Sequence, residues 1–221
     1  MEVDPIHGIG YDLVLTRRIW KDISLKIDYS HYEIKDYVVS ADRSSAYYKK
    51  SPWGRRKINL DKVIKEGVEV ELNGHIIDPL SFYVSYAYNY WRYRGPNTGP
   101  AGVAGEKLGD RAKNRVNAGL RYNLFEKTLL LLDYKFQDEQ IAEVCEEDPP
   151  GSDFWNCYDN PMAAYHVFDF AIEQTLVKKY GFIKDAVLKV YVNNLFDEEY
   201  ENSRGYPMTD CTCGAALSFS F

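Results

Sequence analysis

The sequence has no long hydrophobic run. No stretch of about 18 consecutive apolar residues occurs among its 221 residues, so it contains no candidate transmembrane helix. This absence does not exclude a membrane, because a strand of a transmembrane barrel needs apolar residues only at alternate positions. A membrane-spanning form of this chain would therefore have to be built from strands.

Motifs for catalysis and for metal binding are also missing. The four histidines are scattered and form no HExxH arrangement. The glycines between positions 95 and 105 lack the spacing of a phosphate-binding loop and its closing Lys-Ser/Thr pair. The sequence therefore predicts no catalytic residue, no resident metal and no cofactor, and we do not expect an enzyme.

Positive charge is in deficit. The chain has 27 Lys and Arg residues against 33 Asp and Glu residues, a formal net charge of −6, which argues against a nucleic-acid partner. The first 20 residues include Asp4, Asp12, Arg17 and Arg18 and no apolar segment suited to secretion. We therefore expect no signal peptide within this chain.

Alternation of apolar and polar residues dominates the remainder of the sequence. In one segment Ile23, Leu25, Ile27 and Tyr29 alternate with Ser, Lys and Asp. The same period recurs in about nine segments, and the chain is rich in tyrosine, with 19. The pattern predicts an all-β fold of antiparallel strands near residues 6–16, 23–39, 68–72, 81–93, 115–124, 128–137, 166–176, 188–192 and 215–221.

The connections between these segments alternate between short and long. The long ones are Ser40–Arg56, Gly95–Gly105 and Asp138–Ala163. Short periplasmic turns and long extracellular loops are typical of an up-and-down transmembrane β-barrel, whose strands turn apolar residues to lipid and polar residues to the lumen. The pattern favours a portion of such a barrel over a soluble β-sandwich, the alternative fold.

Three segments resemble one protein family. They are Val192-Asn-Asn-Leu-Phe-Asp-Glu-Glu-Tyr200 with Tyr206-Pro-Met208, the closing Gly214-x-x-Leu217-x-Phe219-x-Phe221, and Val63-Ile-Lys-Glu-Gly-Val-Glu-Val-Glu71. Together they resemble the carboxy-terminal part of TonB-dependent outer-membrane receptors, and the resemblance spans nearly the whole chain. Within it, Gly214, Leu217, Phe219 and Phe221 are similar to the signal that the barrel-assembly machinery reads.

The resemblance implies a fold, a location and partners. Outer-membrane transporters have 22 strands around a plugged lumen, so residues 1–221 would be the last part of a barrel without its plug domain or signal peptide. The whole protein would lie in the bacterial outer membrane and contact its lipid. It would import a scarce nutrient, of the ferric siderophore, cobalamin or haem class, with energy from TonB, which would act through the missing amino-terminal region. The alternatives are a passive porin-like channel and a soluble β-domain that binds a partner through its tyrosines.

Aromatic and charged residues at the roots of the long loops are the candidate ligand contacts. The alternative for most of the tyrosines is an aromatic girdle at the membrane interface. The candidates are Trp91, Arg92, Tyr93, Arg94, Trp155, Tyr158, Arg204 and Tyr206.

The four cysteines form two pairs in the sequence. Cys145 and Cys157 lie in one long external loop, where an oxidising compartment favours a disulfide between them. Cys211 and Cys213 are separated by one residue, so a mutual disulfide would be strained. Their pairing stays open, with a soft-metal site as an alternative.

Overall fold

All the regular secondary structure that the computed structural model describes is β-strand. The structure describes residues 3–40, 57–94, 112–147, 150 and 155–221. No helix in these ranges is long and apolar enough to cross a membrane. The thirteen strands are β1 His7–Trp20, β2 Ile23–Ser40, β3 Lys57–Ile77, β4 Leu80–Tyr93, β5 Asn114–Leu124, β6 Thr128–Gln137, β7 Gln140–Glu147, β8 Trp155–Met162, β9 Tyr165–Tyr180, β10 Ile183–Asn193, β11 Glu201–Ser203, β12 Tyr206–Pro207 and β13 Thr212–Ser220.

Nine of these strands form one antiparallel sheet. Its order is β1-β2-β3-β4-β5-β6-β9-β10-β13, so each strand pairs with the next sheet strand along the chain. This up-and-down order confirms the predicted all-β antiparallel barrel portion and its count of about nine strands. In the described residues β1 and β13 each have one unpaired edge, and the sheet is not closed.

Two of the long connections contain strands that the sequence analysis treats as loop. β7 and β8 form a hairpin inside the predicted loop Asp138–Ala163, and β11 and β12 form another after Asn193. These hairpins pair their own backbone groups and do not join the main sheet, and the alternation that marks the other strands is weak in their sequences. Loops 41–56 and 95–111, which include Gly95–Gly105, lie outside the described residues.

The short turns and the long connections lie at opposite ends of the sheet. The end with the turns at residues 21–22, 78–79, 125–127 and 181–182 is here called the turn end, and the other the loop end. In one turn Phe125 and Glu126 have φ values of 52° and 60°. Consecutive left-handed residues give a tight turn whose twist matches that of the two flanking strands. The predicted rhythm of short and long connections is therefore present.

The strand registers place the predicted apolar residues on one face, here called the outer face. In neighbouring strands of an antiparallel sheet, directly opposed residues share a face. One row across the outer face runs Leu15, Ile27, Val70, Tyr86, Val116 and Phe136. In β6, where four consecutive leucines obscure the alternation, the register places Leu130, Leu132, Tyr134 and Phe136 on this face.

The outer face is not covered by any other part of the described chain. Leu13 is 70% exposed, Leu120 is 41% exposed and Leu217 is 52% exposed. A soluble sandwich would pack a second sheet against this face, and within the described ranges no such sheet exists. A monomeric soluble protein rarely exposes an apolar surface of this extent. The soluble alternative therefore does not fit.

On the opposite face, here called the inner face, tyrosine rings cover glycines of the next strand. Tyr83 is directly opposite Gly119, and a Cβ added to Gly119 would lie 2.2 Å from Cε1 of that ring and 2.6 Å from Oδ1 of Asp133. Close coverage of a strand glycine by a cross-strand aromatic ring holds the register of the two strands. The other two such pairs are Gly10 with Tyr32 and Gly214 with Tyr191.

The contact of Tyr83 with Gly119 generates a prediction. Gly119→Ala would displace the Tyr83 ring and its hydrogen bond to Asp133, and we expect it to cost about 1–3 kcal/mol, as overpacking typically does. Gly8→Ala is the matched control, since its nearest neighbour, the Glu33 carbonyl oxygen, is 3.4 Å away. Thermal unfolding of the full-length protein, followed by loss of β-sheet circular dichroism, measures both. Equal midpoints for the two variants would contradict this account of Gly119.

Candidate ligand-binding wall

Ion pairs occupy the inner face toward the turn end and the middle of the strands. Lys26 lies 3.4 Å from Glu71, on β2 and β3. Arg121 on β5 donates to both carboxylate oxygens of Asp133 on β6, at 2.7 and 2.9 Å. Lys189 lies 3.1 Å from Glu173, on β10 and β9. Each pair links neighbouring strands and neutralises the charges of its own two members.

The Asp133 carboxylate is the centre of the largest of these networks. Besides Arg121, it accepts a hydrogen bond from the Tyr83 hydroxyl at 2.6 Å. The Arg121 guanidinium also lies 5.5 Å from the centroid of the Tyr83 ring. A bidentate arginine pair and a third donor satisfy this partly buried carboxylate. It borders an open depression of about 370 Å³ on the inner face, lined also by Leu131, Asp169, Lys189, Tyr191 and Asn193.

A lysine held between aromatic rings lies toward the loop end of the inner face. The Nζ atom of Lys65 is 5.1 Å from the centroid of the Tyr32 ring and 5.3 Å from that of Trp91. The hydroxyl of Tyr32 donates to the carboxylate of Asp12, at 2.8 and 2.9 Å. Distances below about 6 Å are those of cation–π contacts. We call Tyr32, Lys65 and Trp91 the first lysine cluster.

A small apolar cluster supports the first lysine cluster. Val63 is fully buried, and Ile34, Tyr37 and Trp91 pack against it. Asp36 has a φ of 56°. This left-handed residue turns the chain of β2, so the ring of Tyr37 reaches Trp91, at 6.5 Å between centroids. Trp91 is therefore held from two sides.

A second lysine lies among aromatic rings where two long connections meet. Nζ of Lys135 is 5.3 Å from the ring centroid of Tyr165 and 5.9 Å from that of Tyr200, and the two rings are 4.4 Å apart. Asn202 Oδ1 accepts hydrogen bonds from the Tyr165 hydroxyl at 2.8 Å and from Lys135 at 3.3 Å. Burial raises the pKa of the Tyr200 phenol, and the nearby Lys135 charge opposes that rise. We call Lys135, Tyr165, Tyr200 and Asn202 the second lysine cluster.

The Asn-Asn-Leu-Phe-Asp segment fastens the last long connection to the sheet. Asn194 is only 3% exposed and has a φ of 52°. Its backbone N–H donates to Oδ1 of Asp169 at 2.7 Å, and its side-chain amide donates to the carbonyl oxygens of Glu198 and Thr209. Asp197 then accepts the backbone N–H of Cys211 at 2.6 Å. These bonds close both ends of the connection onto β9 and β10.

Comparison with known proteins decides the family. The family described as TonB dependent receptor-like, beta-barrel, matches residues 3–195 of the chain. The chain belongs to this receptor family. TonB-dependent receptors are outer-membrane barrels of Gram-negative bacteria, and the family comprises receptors and transporters, as the sequence resemblance implies. No curated protein matches the chain.

Solved receptor structures share this fold at low sequence identity. The ferripyoverdine receptor of Pseudomonas aeruginosa is 15% identical with a TM-score of 0.70, over 98% of this chain and 27% of that one. The ferric-catecholate import receptor Fiu of E. coli K12 is 14% identical with a TM-score of 0.65, over 98% and 28%. The copper transporter OprC is 15% identical with a TM-score of 0.73, over 100% and 31%. The chain thus spans less than a third of the length of each.

Four candidate ligand contacts, Trp91 to Arg94, are adjacent in the sequence at the end of β4, but they do not all lie on one face of the wall. Trp91 is on the inner face, opposite Lys65, whereas Arg92 is on the outer face, 3.7 Å from Glu66 and 5.3 Å from the Tyr90 ring centroid. Arg94 is exposed, and its backbone N–H bonds to the carbonyl oxygen of Lys62. Tyr93 pairs with Val63 through the backbone, and its side chain lies outside the described part. Trp91, unlike Arg92, is therefore placed to face a lumen.

The remaining candidates of the receptor lie in the two hairpins. Trp155 and Tyr158 are in β8, and their side chains lie outside the described part. Arg204 lies 3.7 Å from Glu201 within the β11–β12 hairpin, and Tyr206 is 73% exposed beside it. Hence Trp91 and the β11–β12 pair lie in separate places at the loop end, and a ligand role for each stays a prediction.

Several tyrosines of the receptor lie on the outer face, where a membrane girdle is expected. The Tyr134 ring is 4.8 Å from Phe168, and its hydroxyl is 2.8 Å from Nδ1 of His166. Tyr11 stacks on His31 at 5.1 Å. Rings with polar tips at the border of an apolar band fit the interface between lipid and water.

The candidate assembly residues of the receptor lie at its last strand. Leu217 is opposite Leu188 and Phe219 is opposite Ala186, both on the outer face, whereas Gly214 is on the inner face under Tyr191. Phe221 follows the end of β13, and its ring stacks on Phe182 of the preceding turn at 5.8 Å. Their role as a signal stays a prediction.

Sequence reasoning missed the residues that organise both lysine clusters. Lys65 lies in the Val63–Glu71 segment that resembles the receptor family, but that motif does not show its ring contacts, and no local motif marks Lys135, Tyr165 or Asn202. The signal that could have found Lys65 was the combination of a lysine on the polar face of β3 with Tyr32 and Trp91 at matching positions of the neighbouring strands. The contact of Lys65 with these two rings can be recognised only once the strand register is known.

The cysteines of the receptor remain two separate pairs. Cys211 and Cys213 are both free and exposed; Cys213 lies in β13, and Cys211 precedes that strand. Among the described residues no group of three metal-ligating side chains is present. The side chains of Cys145 and Cys157 lie outside the described part, and their backbones are directly opposite in the β7–β8 hairpin.

We predict a disulfide between Cys145 and Cys157. Directly opposed residues of an antiparallel pair have Cα atoms about 4.5–5.5 Å apart, within the range that a disulfide bridges. By the chain-entropy estimate the bond would stabilise the protein by roughly 3 kcal/mol. A non-reducing peptide map of the exported protein should show the two peptides linked. Linkage of either cysteine to Cys211 or Cys213 would contradict this pairing.

Proposed function

We propose that this chain is part of the barrel wall of an outer-membrane receptor that imports a scarce nutrient. The cargo would be a metal chelate of the ferric siderophore, cobalamin or haem class, and import would use energy from TonB through a part of the protein outside this chain. The observation that carries the proposal is the single-layer sheet, with an uncovered apolar outer face and a hydrogen-bonded, charged inner face. Lipid would cover the first face, and a lumen would border the second.

The family relatives support a transport role without naming the cargo. The ferripyoverdine receptor was solved with ferripyoverdine, Fiu is an importer of ferric catecholate, and OprC is a copper transporter. A relative of the first type was also solved with pyocin S2. We propose that this receptor likewise recognises its ligand at the loop end, with the lysine clusters in the wall. This chain would contribute wall and loop contacts, with no reaction chemistry.

Uptake of radiolabelled metal chelates by living cells tests the proposed function. We expect uptake of one chelate class to be lost when the gene is deleted and to be lost equally when TonB is removed. Uptake that needs this protein and persists without TonB would indicate the passive channel. If no chelate depends on this protein, the import role itself is wrong.

Assembly of the barrel gives a prediction at Phe221. We propose that the assembly machinery reads Gly214, Leu217, Phe219 and Phe221. Phe221→Ala should sharply reduce the amount of protein inserted in the outer membrane, because it removes part of that signal. The inserted barrels should keep near-normal heat resistance, since loss of one exposed ring costs at most about 1–3 kcal/mol. Immunoblots of outer-membrane fractions and heat-modifiable gel mobility measure the two effects.

Phe182→Ala is the control for Phe221→Ala. It removes the other ring of the same stacked pair and leaves the last strand unchanged. Normal insertion of Phe182→Ala together with poor insertion of Phe221→Ala supports a signal. An equal loss for both variants would show that the ring contact, and not the signal, matters.

A further inference from the structure

The cations of the inner face fall into two groups. Lys26, Arg121 and Lys189, toward the turn end and the middle of the strands, each have a carboxylate partner on a neighbouring strand. Lys65 and Lys135, toward the loop end, have no carboxylate within ion-pair distance in the part of the chain that the structure describes. Arg18 and Lys178, at the turn end, likewise have no ion-pair partner among the described residues, but both are exposed, whereas Lys65 and Lys135 are half-buried beside aromatic rings.

The two unpaired lysines are held in place without being neutralised. Aromatic rings contact Lys65 on two sides, and the nearby Asp12 carboxylate accepts a hydrogen bond from the Tyr32 hydroxyl. Lys135 lies over two rings and donates to the neutral Asn202. A ring face attracts an ammonium group and fixes its position, yet the full positive charge remains. Both side chains are half-buried, so water screens them less than it screens a free lysine.

A further cation adds to the positive charge near Lys135. Arg115 is exposed on the inner face of β5, opposite Gln137, which in turn is opposite Tyr165 on β9. Within the described ranges it too has no ion-pair partner. Toward its loop end the inner face therefore has two lysines held by aromatic rings and the exposed Arg115, in a chain whose net charge is −6.

We infer that the cargo of this receptor is a negatively charged chelate, and that Lys65 and Lys135 attract it at two positions on the inner wall. The inference rests on the proposed function and adds the charge of the cargo. The lysines are three strands apart, roughly 14 Å across the sheet, and six positions apart in register, roughly 20 Å along it. They therefore act as separate contacts, and the aromatic rings beside them offer faces to planar groups of the ligand.

The test uses the full-length protein in its own outer membrane and two iron probes. One is a ferric tris-catecholate, which is trianionic, and the other is a neutral ferric tris-hydroxamate. The variants are Lys65→Gln and Lys135→Gln, which remove charge, and the corresponding arginine variants, which retain it. Lys26→Gln is the matched control, because Lys26 is a lysine of the same face that already has a carboxylate partner.

We expect each glutamine variant to weaken binding of the anionic probe roughly tenfold, as loss of one charged contact does. The arginine variants and Lys26→Gln should bind it with near wild-type affinity. Binding to the wild type should weaken as salt increases, because fixed charges attract the probe. Immunoblots and protease sensitivity establish that each variant is inserted and folded.

Three results would overturn the inference. One is receptor-dependent uptake of the neutral probe alone. Another is anionic binding that neither glutamine variant nor salt changes. The third is normal affinity with increased protease sensitivity in the glutamine variants, which would assign the lysines to ion pairs with another part of the protein. Absence of receptor-dependent uptake for both probes and for other chelates would instead refute the proposed function.

Discussion

The structure depends on one constraint: its sheet is a single layer that cannot bury either face against its own chain. Strand pairing satisfies the backbone, and every sheet strand of the described chain except β1 and β13 has partners on both sides. Contact of the apolar outer face with water is unfavourable, so the folded sheet requires a medium that replaces water against this face. Lipid is such a medium, and it also explains why residues as apolar as Leu13 and Leu217 are exposed.

The inner face meets a different requirement, since polar groups there need partners whatever fills the lumen. Toward the turn end it supplies them itself, through Arg121 with Asp133 and the other cross-strand pairs. Toward the loop end it leaves lysines over aromatic rings, and it fastens the last connection through Asn194. These rings hold the two lysines in place without neutralising their charge.

Much of the fold could be predicted from the sequence because each sheet strand has a strict period of two. The four consecutive leucines of β6 illustrate the limit: they obscure the alternation, and the register is what places Leu130 and Leu132 on the outer face. The β7–β8 hairpin was missed because the alternation of apolar and polar residues is weak in its two strands. The site was less predictable, because adjacency in sequence misled at Trp91 and Arg92, which alternate onto opposite faces, and because Lys65 and its rings meet only through register.

Spin-label accessibility along β6 tests the central claim most directly. Single labels at positions 130 to 135, in the full-length protein in lipid bilayers, would report collisions with oxygen, which concentrates in lipid, and with a water-soluble nickel chelate. The account predicts a period of two, with oxygen contact at 130, 132 and 134. Positions 131, 133 and 135 should instead be shielded from oxygen and show nickel contact wherever water reaches them. Equal oxygen contact at Leu131 and Leu132, or the opposite alternation, would contradict a wall with lipid on one side and a polar lumen on the other.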